Sequence, residues 1–188
     1  SSPYIVCEQL EKKGLVKTIL KPKITDPFDI MGSDKIKDIQ LSKDQQNVIN
    51  TVQSAGRGFH PYLLYGVTGS GKTEVYLKLA QTIVESGKSV LALVPEISLT
   101  PQVAKRFHKA FGSRVALWHS QMTKAEKGWT WQQLKKGEYS VVVGARSAIF
   151  VPLKNLGLII VDEEQESSYK QENPVPRYHA RDVAMVRG

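Results

Sequence analysis

The chain has 188 residues, with 26 Lys and Arg against 18 Asp and Glu, for a net charge of +8. At 41% hydrophobic and 23% charged it has the composition of a globular chain, which excludes disordered and collagen-like classes, and its length suits one domain or one domain with a piece of a second. No apolar run approaches the roughly 18 to 20 residues that span a bilayer, and Cys7, the single cysteine, excludes an intramolecular disulfide and a cysteine-cluster metal site. The start, Ser1-Ser2-Pro3-Tyr4, lacks the basic-then-apolar plan of a signal peptide, so a reduced cytoplasmic setting with no membrane partner is expected.

In chain order, Tyr4 to Lys13 has helical spacing, and Gly14 stands where a helix C-cap is expected. Leu15 to Leu20 reads as a strand. Residues 26–40, punctuated by Pro27 and Gly32, read as a linker. From Leu41 the pattern becomes regular. Ser42 and Gln45 form a capping-box signature for a helix to about Ser54. Tyr62-Leu63-Leu64-Tyr65 reads as a short strand, and Lys72 to about Ser86 as a helix stopped by Gly87. Ser89 to Val94 is a predicted strand, and Ser98 to Phe111 a predicted helix with Pro101 in its first turn. Val115 to Trp118 follows as a strand, Lys124 to Lys136 as a helix ended by Gly137, and 141–143 and 158–161 as nearly all-apolar strands. Such strands are buried on both faces, so the predicted class is α/β: a mostly parallel sheet flanked by helices and joined by right-handed crossovers.

The positive excess is concentrated between Thr100 and Lys136, where Lys105, Arg106, Lys109, Arg114, Lys124, Lys127, Lys135 and Lys136 face the single acid Glu126. The cluster is either the footprint of a polyanionic partner or a solvated helix face.

Gly66-Val67-Thr68-Gly69-Ser70-Gly71-Lys72-Thr73 matches G-x-x-x-x-G-K-[ST] between a predicted strand and a predicted helix. The glycines let backbone N–H groups turn toward phosphate oxygens, and the helix N-terminus adds its dipole. Lys72 is then expected to reach the β and γ phosphates of ATP, and Thr73 to offer its hydroxyl to Mg²⁺. Asp162-Glu163-Glu164 closes the apolar run from Leu158. Beside a P-loop, Asp162 is the expected Mg²⁺ ligand and Glu163 the expected general base for the attacking water. The Asp-Glu pair favours a motor ATPase over a nucleotide or metabolite kinase; a non-catalytic DNA-binding module with a structural nucleotide is the other alternative.

Val94-Pro95-Glu96-Ile97-Ser98-Leu99-Thr100-Pro101-Gln102 resembles the second motif of the PriA family, the superfamily 2 DNA helicases of bacterial replication restart. The resemblance continues through His119-Ser120, Glu126 to Trp131, the run Val143-Gly144-Ala145-Arg146-Ser147-Ala148-Ile149-Phe150, Ser167 to Gln171, and Arg177-Tyr178-His179-Ala180-Arg181-Asp182. It implies that residues 41–188 form the first RecA-like, ATP-binding lobe, ending before a second lobe, and that residues 1–25 resemble the tail of a winged-helix domain. Gln45 stands where such helicases carry an adenine-contacting glutamine. A carboxamide can donate and accept at once, and its other reading is the capping box alone. The loops at Pro95-Glu96 and His119-Ser120, with Arg146, are implied as the DNA track. Tyr169, Arg177, Tyr178 and His179 resemble the family's aromatic-rich loop, which either stacks on bases or packs on the domain. Where the family carries a coupling His this chain has Gln165, and Pro174-Val175-Pro176 is a stiffer spacer than the family's glycine turn. Single-stranded and forked DNA, single-strand-binding protein and primosome proteins are the implied partners, with a cytoplasmic, nucleoid-associated location in bacteria.

Overall fold

The computed structural model describes residues 3–17, 40–56, 58–67 and 69–188. Half of the predicted strand at Leu15 to Leu20, all of the predicted linker but residue 40, and Thr68 of the P-loop lie outside these residues. The described part of that strand, 15–17, has no strand pairing.

Six helices and six strands are found among the described residues. Helix α1 spans Pro3–Lys12, α2 Lys43–Gln53, α3 Lys72–Glu85, α4 Pro101–Phe111, α5 Lys124–Lys136 and α6 Ala180–Arg187. The capping box of α2 is present: Ser42 Oγ accepts from Gln45 N–H, while Gln45 Oε1 accepts from Ser42 N–H. A second capping box, Thr123 with Glu126, opens α5, and Gly137 in the left-handed region closes it. Helix α4 starts three residues later than the sequence predicts. Ser98 ends a 3₁₀ turn, and Thr100, held extended before Pro101, caps α4 through Val103 N–H.

The main sheet is parallel. Its strands β1 (Ser89–Leu93), β2 (Val115–Trp118), β3 (Val141–Gly144) and β4 (Leu156–Val161) lie in the order β2-β3-β1-β4. Strand alternation divides the core. Val90, Ala92, Val141, Val143 and Ile160 pack under α3 and α4, whereas Leu91, Leu93, Ala116 and Val142 pack under Leu134 of α5 and Ala180 and Ala184 of α6. A third cluster joins Ile49 of α2 to Val75 and Leu79 of α3.

Two segments differ from the sequence expectation. Tyr62 to Tyr65 is not a strand: it has no ladder partner, and Tyr65 is 94% exposed. An apolar, β-prone run becomes a strand only where a neighbouring edge accepts its hydrogen bonds, and only Leu64 of this run packs on the α2–α3 cluster. The segment after the acids also holds more regular structure than its composition suggests. Lys170–Gln171 (β5) and Tyr178–His179 (β6) form an antiparallel pair that leads into α6.

The parallel register sets the four strand ends level. Leu93 pairs with both Gly144 and Val161, and Trp118 with Gly144. Three bonds extend the ladders by one residue: Asp162 N–H to Leu93 O (2.9 Å), Val94 N–H to Gly144 O (3.0 Å) and Ala145 N–H to Trp118 O (3.0 Å). The loops that leave these ends therefore share one rim, where open α/β sheets bind ligands.

Candidate nucleotide and nucleic-acid site

Gly69 and Gly71 take φ of 82° and 80°, a backbone that L side chains rarely adopt, so the loop can curl into α3 only with glycine there. Lys72 Nζ lies inside this curl and donates to Gly66 O at 2.6 Å and Val67 O at 3.1 Å. Gln45 braces the same loop, its Nε2 donating to Ser70 O at 3.1 Å while its Oε1 is held by the cap. A Cβ at Gly71 would run into that amide. Both polar ends of Gln45 are thus engaged, as in the capping-box reading.

The acidic turn meets the first turns of α3. Tyr76 lies one helical turn beyond Lys72, and its hydroxyl donates to the Asp162 carboxylate. Burial, helped by the negative charge of Asp162, pushes the Tyr76 phenol up to about 12. Asp162 is half-buried. Its pKa is raised first by burial and then by the charge of Glu163, against the opposing Glu163 N–H, Lys72 ammonium and Tyr76 hydroxyl. Glu163 adopts φ of 47°, with its N–H on Asp162 Oδ1 at 3.1 Å and its Oε2 accepting from Ser98 Oγ at 3.2 Å. Glu164 pairs with Arg181 at 2.8 Å, and Gln165 is exposed in the same turn.

The residues present suit a Mg²⁺-nucleotide. No cluster of three or more His, Cys, Asp or Glu exists among the described residues. Mg²⁺ is commonly held by one or two carboxylates with phosphates and water completing the shell, a set to which Asp162 and the Thr73 hydroxyl can contribute. A cation would also offset the burial and the Glu163 charge that raise Asp162.

The remaining predicted residues line the rim at the ends of β1, β2 and β3. Pro95 is buried under the turn. Glu96 Oε1 accepts from Ser120 N–H at 3.1 Å. The Ser120 side chain first, then that N–H and the nearby His119 and Arg146 charges, hold the Glu96 carboxyl below the usual range against its partial burial. His119 is half-buried, and burial lowers its pKa. Lys127 reaches the same turn at Ser120 O (3.3 Å). Other members of the basic cluster act elsewhere: Arg106 pairs with Glu74 of α3 at 3.4 Å, and Arg114 donates to Phe111 O.

Gly144 lets the Arg146 turn leave β3, since a Cβ there would sit 2.5 Å from Trp118 O and 2.6 Å from Ala148 Cβ. Arg146 then reaches across to the β5–β6 pair. It donates to Lys170 O at 2.7 Å, and its guanidinium lies 5.9 Å from the Tyr178 ring centroid. Tyr178, partly exposed, makes an edge contact with Phe150 at 5.0 Å, and Arg177 is exposed. His179 caps α6, its Nδ1 accepting from Arg181 N–H. Tyr169 is a correction. Its ring has no exposure, its hydroxyl donates to Asp162 O at 2.7 Å, and it packs in the core rather than facing a base. Tyr76 and Ser98 were not singled out from the sequence. The i+4 spacing from Lys72 could have found Tyr76, but no local signal marks Ser98.

Fold and site together define a P-loop nucleotide-binding lobe of RecA-like architecture. The chain belongs to the DEAD/DEAH box helicase family, matching it over residues 42–185, and that membership implies a nucleotide site. It is similar to the replication restart protein PriA of Bacillus subtilis (strain 168), 45% identical over 180 residues that cover 95% of this chain and 22% of that protein. The replication restart protein PriA of Synechocystis sp. is 47% identical over 180 residues, 96% of this chain and 21% of its own length. The chain thus spans about a fifth of the curated relatives it matches. In fold it is similar to the UvsW helicase from bacteriophage T4 (TM-score 0.52, 19% identity, 88% of this chain and 61% of that one). Among the described residues no helix is long and apolar enough to cross a membrane.

Proposed function

We propose that this chain is the ATP-binding first lobe of an ATP-dependent DNA helicase that acts in bacterial replication restart. Residues 41–188 form the lobe, 26–40 a linker, and 1–25 the tail of a winged-helix-like domain. The observation that carries the reading is the Lys72–Tyr76–Asp162–Glu163 corner on the same sheet rim as Glu96, His119, Ser120 and Arg146.

In the working protein the backbone N–H groups of 66–73 hold the ATP phosphates. Lys72 exchanges the carbonyls of Gly66 and Val67 for β and γ oxygens, and Gln45 keeps the loop curled. Thr73 and Asp162 would hold Mg²⁺, which when bound neutralises phosphate charge and polarises the transferring phosphoryl group. Glu163 aims the attacking water and accepts its proton. Gln165 donates and accepts across the cleft but, unlike His, cannot be protonated. The His119-Ser120 turn, Lys127 and Arg146 hold the DNA backbone without reading sequence, and Tyr178 offers a stacking face, supported by Arg177 and His179. Single-stranded and forked DNA, single-strand-binding protein and primosome proteins are the proposed partners, in a cytoplasmic, nucleoid-associated setting.

The test is steady-state ATP hydrolysis by the full-length protein with and without single-stranded DNA. Stimulation by DNA, abolished in Glu163→Gln while ATP still binds, is the expected outcome. Hydrolysis indifferent to DNA would favour a metabolite kinase or another P-loop enzyme.

A further inference from the structure

The 3₁₀ turn after β1 touches both halves of the rim. Its first residue, Glu96, holds Ser120 N–H beside His119 and Arg146. Its last residue, Ser98, donates its hydroxyl to Glu163 Oε2 at 3.2 Å, across 65 positions of sequence. The turn between them is tied to one carbonyl: Ser98 N–H and Leu99 N–H both donate to Pro95 O, at 2.8 and 3.0 Å. A displacement at Glu96 is therefore carried to Ser98 with little slack.

We propose that Ser98 is a positioning residue that tethers the Glu163 carboxylate to the DNA-facing turn and restrains it until a nucleic-acid backbone occupies that turn. The inference rests on the reading of Glu163 as general base. Glu163 is exposed; Asp162 Oδ1 on its N–H and Glu166 N–H on its carbonyl fix its backbone, and Ser98 Oγ donates to its carboxylate. An oxygen that already accepts a charge-assisted hydrogen bond is aimed by its donor and less free to take a proton from water. An incoming phosphate repels the Glu96 carboxylate and competes with it for Ser120 N–H, so the turn shifts and Ser98 lets Glu163 go.

The experiment is steady-state ATP hydrolysis by the full-length protein, with and without saturating oligo(dT), for the parent, Ser98→Ala, Ser98→Thr and Glu163→Gln. Loss of one hydrogen bond to a carboxylate should raise the DNA-independent rate of Ser98→Ala by about tenfold and leave its DNA-saturated rate within about twofold, so the stimulation ratio falls about tenfold. Ser98→Thr, which keeps the hydroxyl, should restore the parent ratio. An unchanged ratio in Ser98→Ala, a parallel fall of both rates, or identical behaviour of the Ala and Thr variants would overturn the tether. If Glu163→Gln is inactive alongside any of these, the general base stands without it. If Glu163→Gln turns over within about threefold of the parent, base and tether fall together.

Discussion

Asp162 and Arg146 lie at the same end of the sheet but are held in opposite ways. Asp162 continues a strand ladder through its N–H on Leu93 O and is pinned by two tyrosine hydroxyls, Tyr76 on its carboxylate and Tyr169 on its carbonyl. Arg146 stands on a 3₁₀ turn and spans open ground to the backbone of Lys170 and the ring of Tyr178. The nucleotide corner is thus set by sheet and helix backbone before any ligand arrives. At the rim Arg146 is set by a long side chain whose partners are a carbonyl and a ring, contacts that a phosphate or a base would replace in the proposed DNA-facing role. Rigidity where phosphoryl chemistry demands geometry, and exchangeable contacts where a strand must slide, suit a motor lobe.

The largest effect that would break this comparison is at the corner. Lys72→Ala removes the ammonium from the curl of the P-loop, and tight Mg-ATP binding by isothermal titration is expected to be lost. Affinity equal to the parent's would show that the corner does not hold phosphate. At the rim the expected loss is smaller. Tyr178→Ala should weaken single-stranded DNA binding by about 1–3 kcal/mol in fluorescence anisotropy and spare nucleotide binding without DNA. A drop in melting temperature with DNA affinity unchanged would instead make the Tyr178–Phe150 contact a packing contact alone. Smallest is Tyr169→Phe, which takes the hydroxyl from Asp162 O while keeping the ring in the core. It should cost about 0.5–1.5 kcal/mol of stability by denaturant unfolding, with DNA affinity within error of the parent. Weakened DNA binding at unchanged stability would return Tyr169 to the DNA-contacting set.

The corner is legible in the sequence because its parts are local. Gly66 to Thr73 is one contiguous motif between an apolar run and a helix, and Asp162-Glu163 ends an apolar run that is a strand as expected, although at the sheet edge only its Ile160 is buried rather than both faces. Helix caps are equally local, so Ser42 with Gln45 announces α2. The rim is less legible because its contacts join distant positions: Arg146 to Lys170, Glu96 to Ser120, Ser98 to Glu163. Spacing carries no sign of such pairs. Tyr169 and Tyr178 make the point within ten residues. The same residue type in the same polar loop is fully buried at one position and partly exposed at the other, although both pack on the same core cluster. Tyr62 to Tyr65 fails in the other direction, since hydrophobicity forecasts a strand but cannot supply a partner edge.

If corner and rim form one coupled unit, as the proposed function requires, nucleotide and DNA alter each other's affinity by the same factor. The direct measurement uses the full-length Glu163→Gln variant, whose turnover is expected to be too slow to disturb equilibrium. Its affinity for single-stranded DNA is taken with and without saturating Mg-ATP, and its affinity for Mg-ATP with and without saturating DNA. The account requires both ratios to depart from one and to agree within error. Two ratios of one would mean that the corner binds nucleotide and the rim binds DNA with no energetic connection, and that the shared sheet edge does not make a motor.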